Sequence, residues 1–278
     1  MIDVRSDRLQ QLATFDQARA LGVAPSGPLF VADAGRDVVV QLDRRGRVTE
    51  VLGGPGIDPG EFDTPTDVDP TNGLVLLVAD AGNSRIQRFS RGLRLLEEIP
   101  IGTEARRPRS RYDRARDALQ APADGRPVAV VTTQADEVIV LDAARNIVVK
   151  WERNRRAQRV LGGFDSGPQA LIEPFALALG ANDELLVADR GRNAIIVFDA
   201  FGTFLRPLAR GAVEDAANIA VIDREVWVVQ PRQIWVYDER GRPLRRVRFD
   251  LQAPLVDVAR QGSDFLLLTE QRLYRWSP

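Results

Sequence analysis

The strongest constraint on the fold of this chain is an internal repeat. Residues 33–42 align without a gap with residues 80–89, which lie 47 positions later, and a third copy occupies residues 189–198. Each copy begins with Asp and is preceded by Val-Ala. Self-similarity with a period of roughly 20 to 50 residues indicates a repeat architecture such as a solenoid or a propeller.

A second sequence anchor recurs in the same order. A Val-Leu-Gly-Gly segment at residues 51–54 begins 14 positions before Pro65, and the same four residues at 160–163 begin 14 positions before Pro174. Two independent anchors in matching order support a true repeat, because chance similarity would not conserve their spacing.

Fainter copies complete the series. Each copy ends a short apolar strand on a large apolar residue, and the spacings of these residues are 47, 52, 57, 39 and 39. This is the range of one four-stranded blade per repeat. The sequence therefore predicts an all-β, six-bladed β-propeller with four-stranded antiparallel blades. The closing residues are Leu42, Phe89, Leu141, Phe198, Tyr237 and Trp276.

The two ends of the chain suggest how the ring closes. In the second repeat, turn residues separate predicted strands at 66–69, 74–80, 85–89 and 93–99. The last repeat has room for only three strands, whereas residues 8–15 form an apolar stretch before the first repeat. We predict that this N-terminal stretch supplies the missing outer strand of the last blade, which removes exposed sheet edges. Residues 1–278 are then a single domain.

Composition excludes several kinds of chemistry. The 278 residues include no histidine and no cysteine, so disulfides, thiolate catalysis, Ser-His-Asp arrangements and His-ligated metals are impossible. Lys150 is the only lysine among 38 basic residues. No apolar run approaches the roughly 20 residues of a membrane span, and no apolar leader is present. The chain is either cytoplasmic or an exported domain whose signal has been removed, and we expect a monomer without a cofactor.

The second repeat resembles the NHL repeat of bacterial propeller proteins. Residues 60–68 read GEFDTPTDV and residues 78–89 read VADAGNSRIQRF, which follow the family patterns G-x-F-x-x-P-x-x-V and V-A-D-x-x-N-x-R-I-x-x-F. Repeats at 21–54 and 174–206 match well but carry Arg36 and Arg192 where the family has Asn. The resemblance covers most of the chain and implies the propeller fold, whereas it says little about function because one fold hosts many functions.

The Asp of the Val-Ala-Asp segment recurs at Asp33, Asp80 and Asp189. An Asp at the start of a tight turn accepts hydrogen bonds from backbone N–H groups a few residues further on. Because an active site needs one such residue and not three equivalent ones, we interpret these residues as structural.

Two long connections are rich in arginine and are predicted to lie on one face of the propeller. They flank the third blade, and Arg192 would lie in a turn on the same face. This would form a local basic surface on a chain with a net charge of −1. The candidate ligand-binding residues are Arg106, Arg107, Arg109, Arg111, Tyr112, Arg153, Arg155, Arg156 and Arg192.

Three interpretations of this basic surface remain open. It is a merely solvated face, a docking site for a protein partner or an anionic ligand, or a nucleic-acid surface. The last is disfavoured because aromatic residues are only 6% of the chain, and single-stranded nucleic acids need aromatic platforms for stacking. The main hypothesis is a non-enzymatic binding or scaffold propeller, with no catalytic residue and no metal ligand assigned.

The alternative hypothesis is a calcium-dependent hydrolase or lactonase-like propeller with a carboxylate and amide site at the mouth of the central channel. Calcium takes only oxygen ligands, so the absence of histidine leaves this alternative open. It would require three or four carboxylate or amide side chains to converge in the channel mouth. The candidates near the ends of first strands are Asp67, Asp69, Glu173, Asp215, Asn218 and Asp257.

Overall fold

The computed structural model of the protein describes residues 1–102, 125–152, 158–163 and 167–278. The chain begins with β1 (Ile2–Val4) and β2 (Leu9–Thr14). Six groups of strands then follow around a ring, and these groups form six blades. Among the described residues, no helix is long and apolar enough to cross a membrane.

The first three blades have four antiparallel strands each. Blade 1 consists of β3 (Ala18–Val23), β4 (Leu29–Asp33), β5 (Val38–Leu42) and β6 (Val48–Gly53). Blade 2 consists of β7 (Pro65–Asp69), β8 (Val75–Asp80), β9 (Arg85–Ser90) and β10 (Leu95–Pro100). Blade 3 consists of β11 (Pro127–Thr132), β12 (Val138–Asp142), β13 (Ile147–Trp151) and β14 (Gln158–Gly162).

The remaining strands form blades 4 to 6. Blade 4 consists of β15 (Pro174–Leu179), β16 (Leu185–Asp189), β17 (Ala194–Phe198) and β18 (Phe204–Leu208). Blade 5 consists of β19 (Asn218–Ile222), β20 (Glu225–Gln230), β21 (Gln233–Tyr237) and β22 (Pro243–Phe249). Blade 6 contains β23 (Leu255–Gln261), β24 (Asp264–Thr269) and β25 (Arg272–Trp276). The predicted six-bladed propeller is confirmed.

The N-terminal residues close the ring in two steps. β2 pairs antiparallel with β25, with Leu9 opposite Trp276 and Thr14 opposite Arg272, and it is the fourth strand of blade 6. This confirms the predicted closure. β1 was not predicted: it adds a fifth, parallel strand to the outer edge of blade 5, with Val4 opposite Phe249. Three residues are too few to show a strand pattern in the sequence.

The first strand of each blade is its innermost strand, so β3, β7, β11, β15, β19 and β23 surround a central channel. The middle strands are buried on both faces because neighbouring blades pack against them. Every residue of β16 is buried, for example, which explains why its apolar run does not alternate. The apolar core accordingly consists of clusters that lie between consecutive blades.

The recurrent Asp residues have the structural role expected of them. Asp189 accepts the expected N–H of a following residue, Arg192, but further partners lie before the Asp. Asp33 accepts hydrogen bonds from the backbone N–H groups of Asp16 and Gln17. Asp189 accepts equivalent bonds from Ile172 and Glu173. These donors lie 16 or 17 positions before the Asp, in the connection that enters the blade. Each of these carboxylates therefore ties the connection that enters its own blade to the end of the second strand of that blade.

Candidate functional site

The central channel contains a cavity of about 510 Å³ that is lined by residues from all six inner strands. Apart from Asn218 and Ile219 at the start of β19, the lining residues come from the middle and the carboxyl ends of these strands, and from Thr71 and Asp223 in the turns that follow β7 and β19. The cavity therefore extends towards the face that carries the turns between first and second strands. The basic surface was expected on the opposite face, where the blade-to-blade connections lie. That placement is wrong for the second arginine-rich segment, residues 152–159, because it runs from the end of β13 into β14 within blade 3 and does not join two blades.

Three polar side chains occupy equivalent positions in three of the inner strands. Asp67 lies opposite Ala79, Asn218 opposite Val229 and Asp257 opposite Leu268. In each case the opposing residue is the last but one of the second strand. The same position is alanine in the other three blades, at Ala20, Ala129 and Ala176. The ring thus brings two carboxyl groups and one amide to one level of the channel.

Asp67 links blade 2 to blade 3. Its Oδ1 accepts a hydrogen bond from the N–H of Val68 (2.8 Å), and its Oδ2 accepts one from the N–H of Val130 (2.7 Å). Val130 follows Ala129, whose methyl side chain offers no acceptor. The inner strand of a blade has an unpaired edge towards the channel, so the carboxyl group of one blade satisfies a free donor of the next.

Asp257 makes the equivalent link where the ring closes. Its Oδ1 accepts a hydrogen bond from Val258 N–H and its Oδ2 accepts one from Leu21 N–H of blade 1, both at 2.8 Å. The Asn218 side chain also hydrogen-bonds to Asp257, while Asn218 Oδ1 accepts the N–H of Ile219 at 2.8 Å. The three polar side chains are therefore held in fixed positions by the backbone.

Burial dominates the electrostatics of these carboxyl groups. Burial raises the pKa of Asp257 from 3.8 to about 7, against hydrogen bonds from Leu21, Val258 and Asn218 that lower it. Burial likewise raises the pKa of Asp67 well above its ordinary value, and the nearby charges of Asp257 and Asp69 add to the rise. Raised carboxyl pKa values in a cavity are typical of acid–base sites. At neutral pH Asp257 is close to the midpoint of its titration, and burial favours the protonated form of Asp67.

The other polar groups of the cavity are paired with one another. Asp69 accepts hydrogen bonds from the N–H and Oγ1–H of Thr71 and from the N–H of Thr132, and burial raises its pKa. At the rim, the Arg260 guanidinium forms an ion pair with Asp223 and donates a hydrogen bond to the carbonyl of Gly262.

The structure brings together four of the six channel candidates from the sequence, namely Asp67, Asp69, Asn218 and Asp257. Glu173 and Asp215 do not line the cavity. Of the nine predicted ligand-binding residues, only Arg192 lies in the described part of the chain. It donates hydrogen bonds to the carbonyls of Pro168 and Ala170. Arg106, Arg107, Arg109, Arg111, Tyr112, Arg153, Arg155 and Arg156 lie outside the described residues, so their role stays a prediction.

Comparison with solved structures finds propellers of the same architecture. A gluconolactonase from Xanthomonas campestris has a TM-score of 0.72 and 13% identity over 96% of this chain and 88% of its own. A putative gluconolactonase gives 0.71 and 13% over 96% and 91%. A virginiamycin B lyase from Staphylococcus aureus gives 0.67 and 10% over 96% and 98%. No family model and no curated protein matches the chain.

The main functional hypothesis from the sequence, a non-enzymatic binding or scaffold propeller, is therefore wrong. The matched propellers are a gluconolactonase and lyases, which favours the enzymatic alternative. The polar groups also converge in the channel, as that alternative requires. The arginine-rich connections misled the prediction because a run of like charges is visible in the sequence, whereas a ring of residues from three distant strands is not.

Proposed function

We propose that this protein is a lactonase-like hydrolase that opens a cyclic ester in the channel cavity. The observation that carries this proposal is the convergence of Asp67, Asn218 and Asp257 at one level of the cavity, with the pKa of Asp257 raised by burial to about 7. A general base works best when its pKa is close to the working pH.

Asp257 is the proposed general base. Its carboxylate takes a proton from a water molecule while the water oxygen bonds to the carbonyl carbon of the ester. The bond between that carbon and the ring oxygen then breaks, and Asp257 returns the proton to the leaving oxygen. The product is a hydroxy acid, and no other reactant is consumed. The hydrogen bond from the Asn218 side chain orients the carboxylate.

Asp67 is the proposed hydrogen-bond donor that stabilises the carbonyl oxygen of the substrate. Burial favours the protonated form of its carboxyl group, and the O–H of that form can donate a hydrogen bond to the carbonyl oxygen of the substrate. That oxygen gains negative charge during the attack, and a fixed donor in a cavity stabilises it more than water does. The bonds from Val68 and Val130 hold this carboxyl in place.

The calcium site of the sequence alternative fits these residues poorly. Calcium takes about six to eight oxygen ligands, whereas this level of the channel offers two carboxyl groups and one amide, whose oxygens also accept backbone N–H bonds. The described residues also contain no group of three or more acidic, His or Cys side chains that could hold a metal ion. No step of the proposed reaction therefore involves a metal.

The comparisons support hydrolysis over elimination. The matched lyase structure is described as a catalytically inactive variant in which a histidine is replaced by alanine, and this chain contains no histidine. The matched gluconolactonase supports a cyclic ester as the substrate class. Membership of the NHL repeat family, a single domain over residues 1–278 and a monomeric state all stay predictions.

The test is a pH-stat assay of lactone hydrolysis at pH 7.5, with and without added calcium. We expect turnover without calcium, a loss of at least ~100-fold in kcat for Asp257→Asn, and a similar loss for Asp67→Asn. The exposed Asp250→Asn variant is the control and should match the wild type. Equal rates in all four proteins would refute the proposed site, and turnover that requires calcium would refute Asp257 as the base.

A further inference from the structure

The wall of the channel cavity is mostly aliphatic. Fourteen of its 22 lining residues are Ala, Val, Leu or Ile, one is Gly, and seven are polar. Four of the wall residues, Val23, Val131, Leu179 and Val221, are only partly buried and so keep apolar surface that a ligand can cover. None of the described lining residues is aromatic.

The side-chain donors of Thr71 and Arg260, and several backbone N–H groups of the cavity, already have partners. The hydroxyl of Thr71 donates to Asp69, and Arg260 is held by Asp223 and a carbonyl. The lining N–H groups that face the acidic and amide side chains also have partners: Leu21, Val68, Val130, Ile219 and Val258. The polar side chains of Asp67, Asn218 and Asp257, at one level of the cavity, are the candidates to bind the ester group of a ligand.

This distribution of polar and apolar groups selects between classes of lactone. A polyhydroxylated sugar lactone would bury several hydroxyl groups, and each would lose its hydrogen bonds to water against an aliphatic wall. An aliphatic lactone needs polar partners only at its ester group, and each methylene that it buries raises affinity about fourfold. A cavity of about 510 Å³ is within the range of small-molecule sites.

Resting on the proposed hydrolase, we infer that the substrate is an aliphatic lactone with a short alkyl side chain and not a sugar lactone. The ester group lies at the level of Asp67 and Asp257. The ring carbons and the alkyl chain lie against Val23, Val131 and Val221, towards the rim.

The experiment compares kcat/KM for δ-lactones with side chains of increasing length and for D-glucono-δ-lactone. We expect kcat/KM to rise about fourfold per methylene until the cavity is full, and gluconolactone to be at least ~10-fold poorer than the best alkyl lactone. Val131→Thr and Val221→Thr add a hydroxyl to the wall without a change of shape and should flatten this series. Val48→Thr, at an exposed position of β6 (57% exposed), is the matched control and should leave it unchanged.

A second measurement separates this inference from the proposed function. Alkyl-substituted δ-lactams resist hydrolysis, and they should raise the melting temperature of both the wild type and Asp257→Asn, more so with longer chains. Gluconolactone preferred over every alkyl lactone, with activity still dependent on Asp257, would overturn the substrate class alone. Absence of all lactone hydrolysis would overturn the hydrolase, and stabilisation by lactams would then still support the aliphatic site. No stabilisation by any lactam would overturn the inference.

Discussion

Replacement of Asp257 by Asn should change how the stability of the protein depends on pH. Burial raises the pKa of this carboxyl from 3.8, its ordinary value, to about 7 in the folded protein. The folded state therefore binds the proton more tightly than the unfolded state. Its contribution to stability is fully present below about pH 4 and is lost as the pH rises to about 7. The difference of about 3 pH units corresponds to about 4 kcal/mol at 1.36 kcal/mol per unit.

The assay is urea denaturation of the wild type and Asp257→Asn at intervals from pH 4 to pH 8. The free energy of unfolding of the wild type should fall by about 4 kcal/mol more than that of the variant over this range. The amide of Asn keeps one acceptor oxygen, so only one of the two N–H groups that bind Asp257, those of Leu21 and Val258, loses its acceptor. That cost does not depend on pH and shifts the whole curve. Asp250→Asn, at an exposed position, should reproduce the wild-type slope. Parallel curves for the wild type and Asp257→Asn would refute the argument.

Three further perturbations test the fold. Deletion of residues 1–15 removes β1 and β2 and should lower the melting temperature by ~10 °C or more. Deletion of residues 1–5 should have a smaller effect, and equal effects of the two deletions would contradict the closure by β2. Phe62→Ala should cost about 3–5 kcal/mol in urea unfolding, because Phe62 is fully buried 6.0 Å from Phe89; a loss below ~1 kcal/mol would count against this packing. Arg85→Leu should accelerate amide hydrogen exchange across residues 56–62, because Arg85 donates to three carbonyls of that loop. Unchanged exchange would show that Arg85 does not hold the loop in place.

The fold could be predicted from the sequence because the same pattern of strands and turns recurs in successive repeats. The second repeat predicted a strand at 74–80, and the structure has Val75–Asp80. Leu74 is excluded from the strand because the Asn72 side chain accepts its N–H and that of Val75, which keeps the turn one residue longer. The N-terminal strand of the last blade could be predicted because a count of strands left one missing.

The candidate site could be predicted only in part. Asp67, Asn218 and Asp257 were among the candidates near the first strands, but no spacing distinguished them from Glu173 or Asp215. Glu173 and Asp215 precede β15 and β19, whereas the register of Asp67 and Asp257 follows a one-residue bulge in β7 and β23. A bulge shifts which side chains reach the channel, and its position cannot be read from alternating apolar residues.

The ring closure and the proposed active site share one hydrogen bond. Asp257 accepts the N–H of Leu21, a residue 236 positions away, so this contact forms only when the last blade meets the first. During synthesis on a ribosome, β2 would wait until β25 has emerged before it could pair, and contacts of such long range form slowly. The catalytic group would therefore be assembled at the end of folding, and a truncated or unclosed chain would have no partial activity. Enzyme turnover would serve as a direct readout of the fraction of molecules in which the ring has closed.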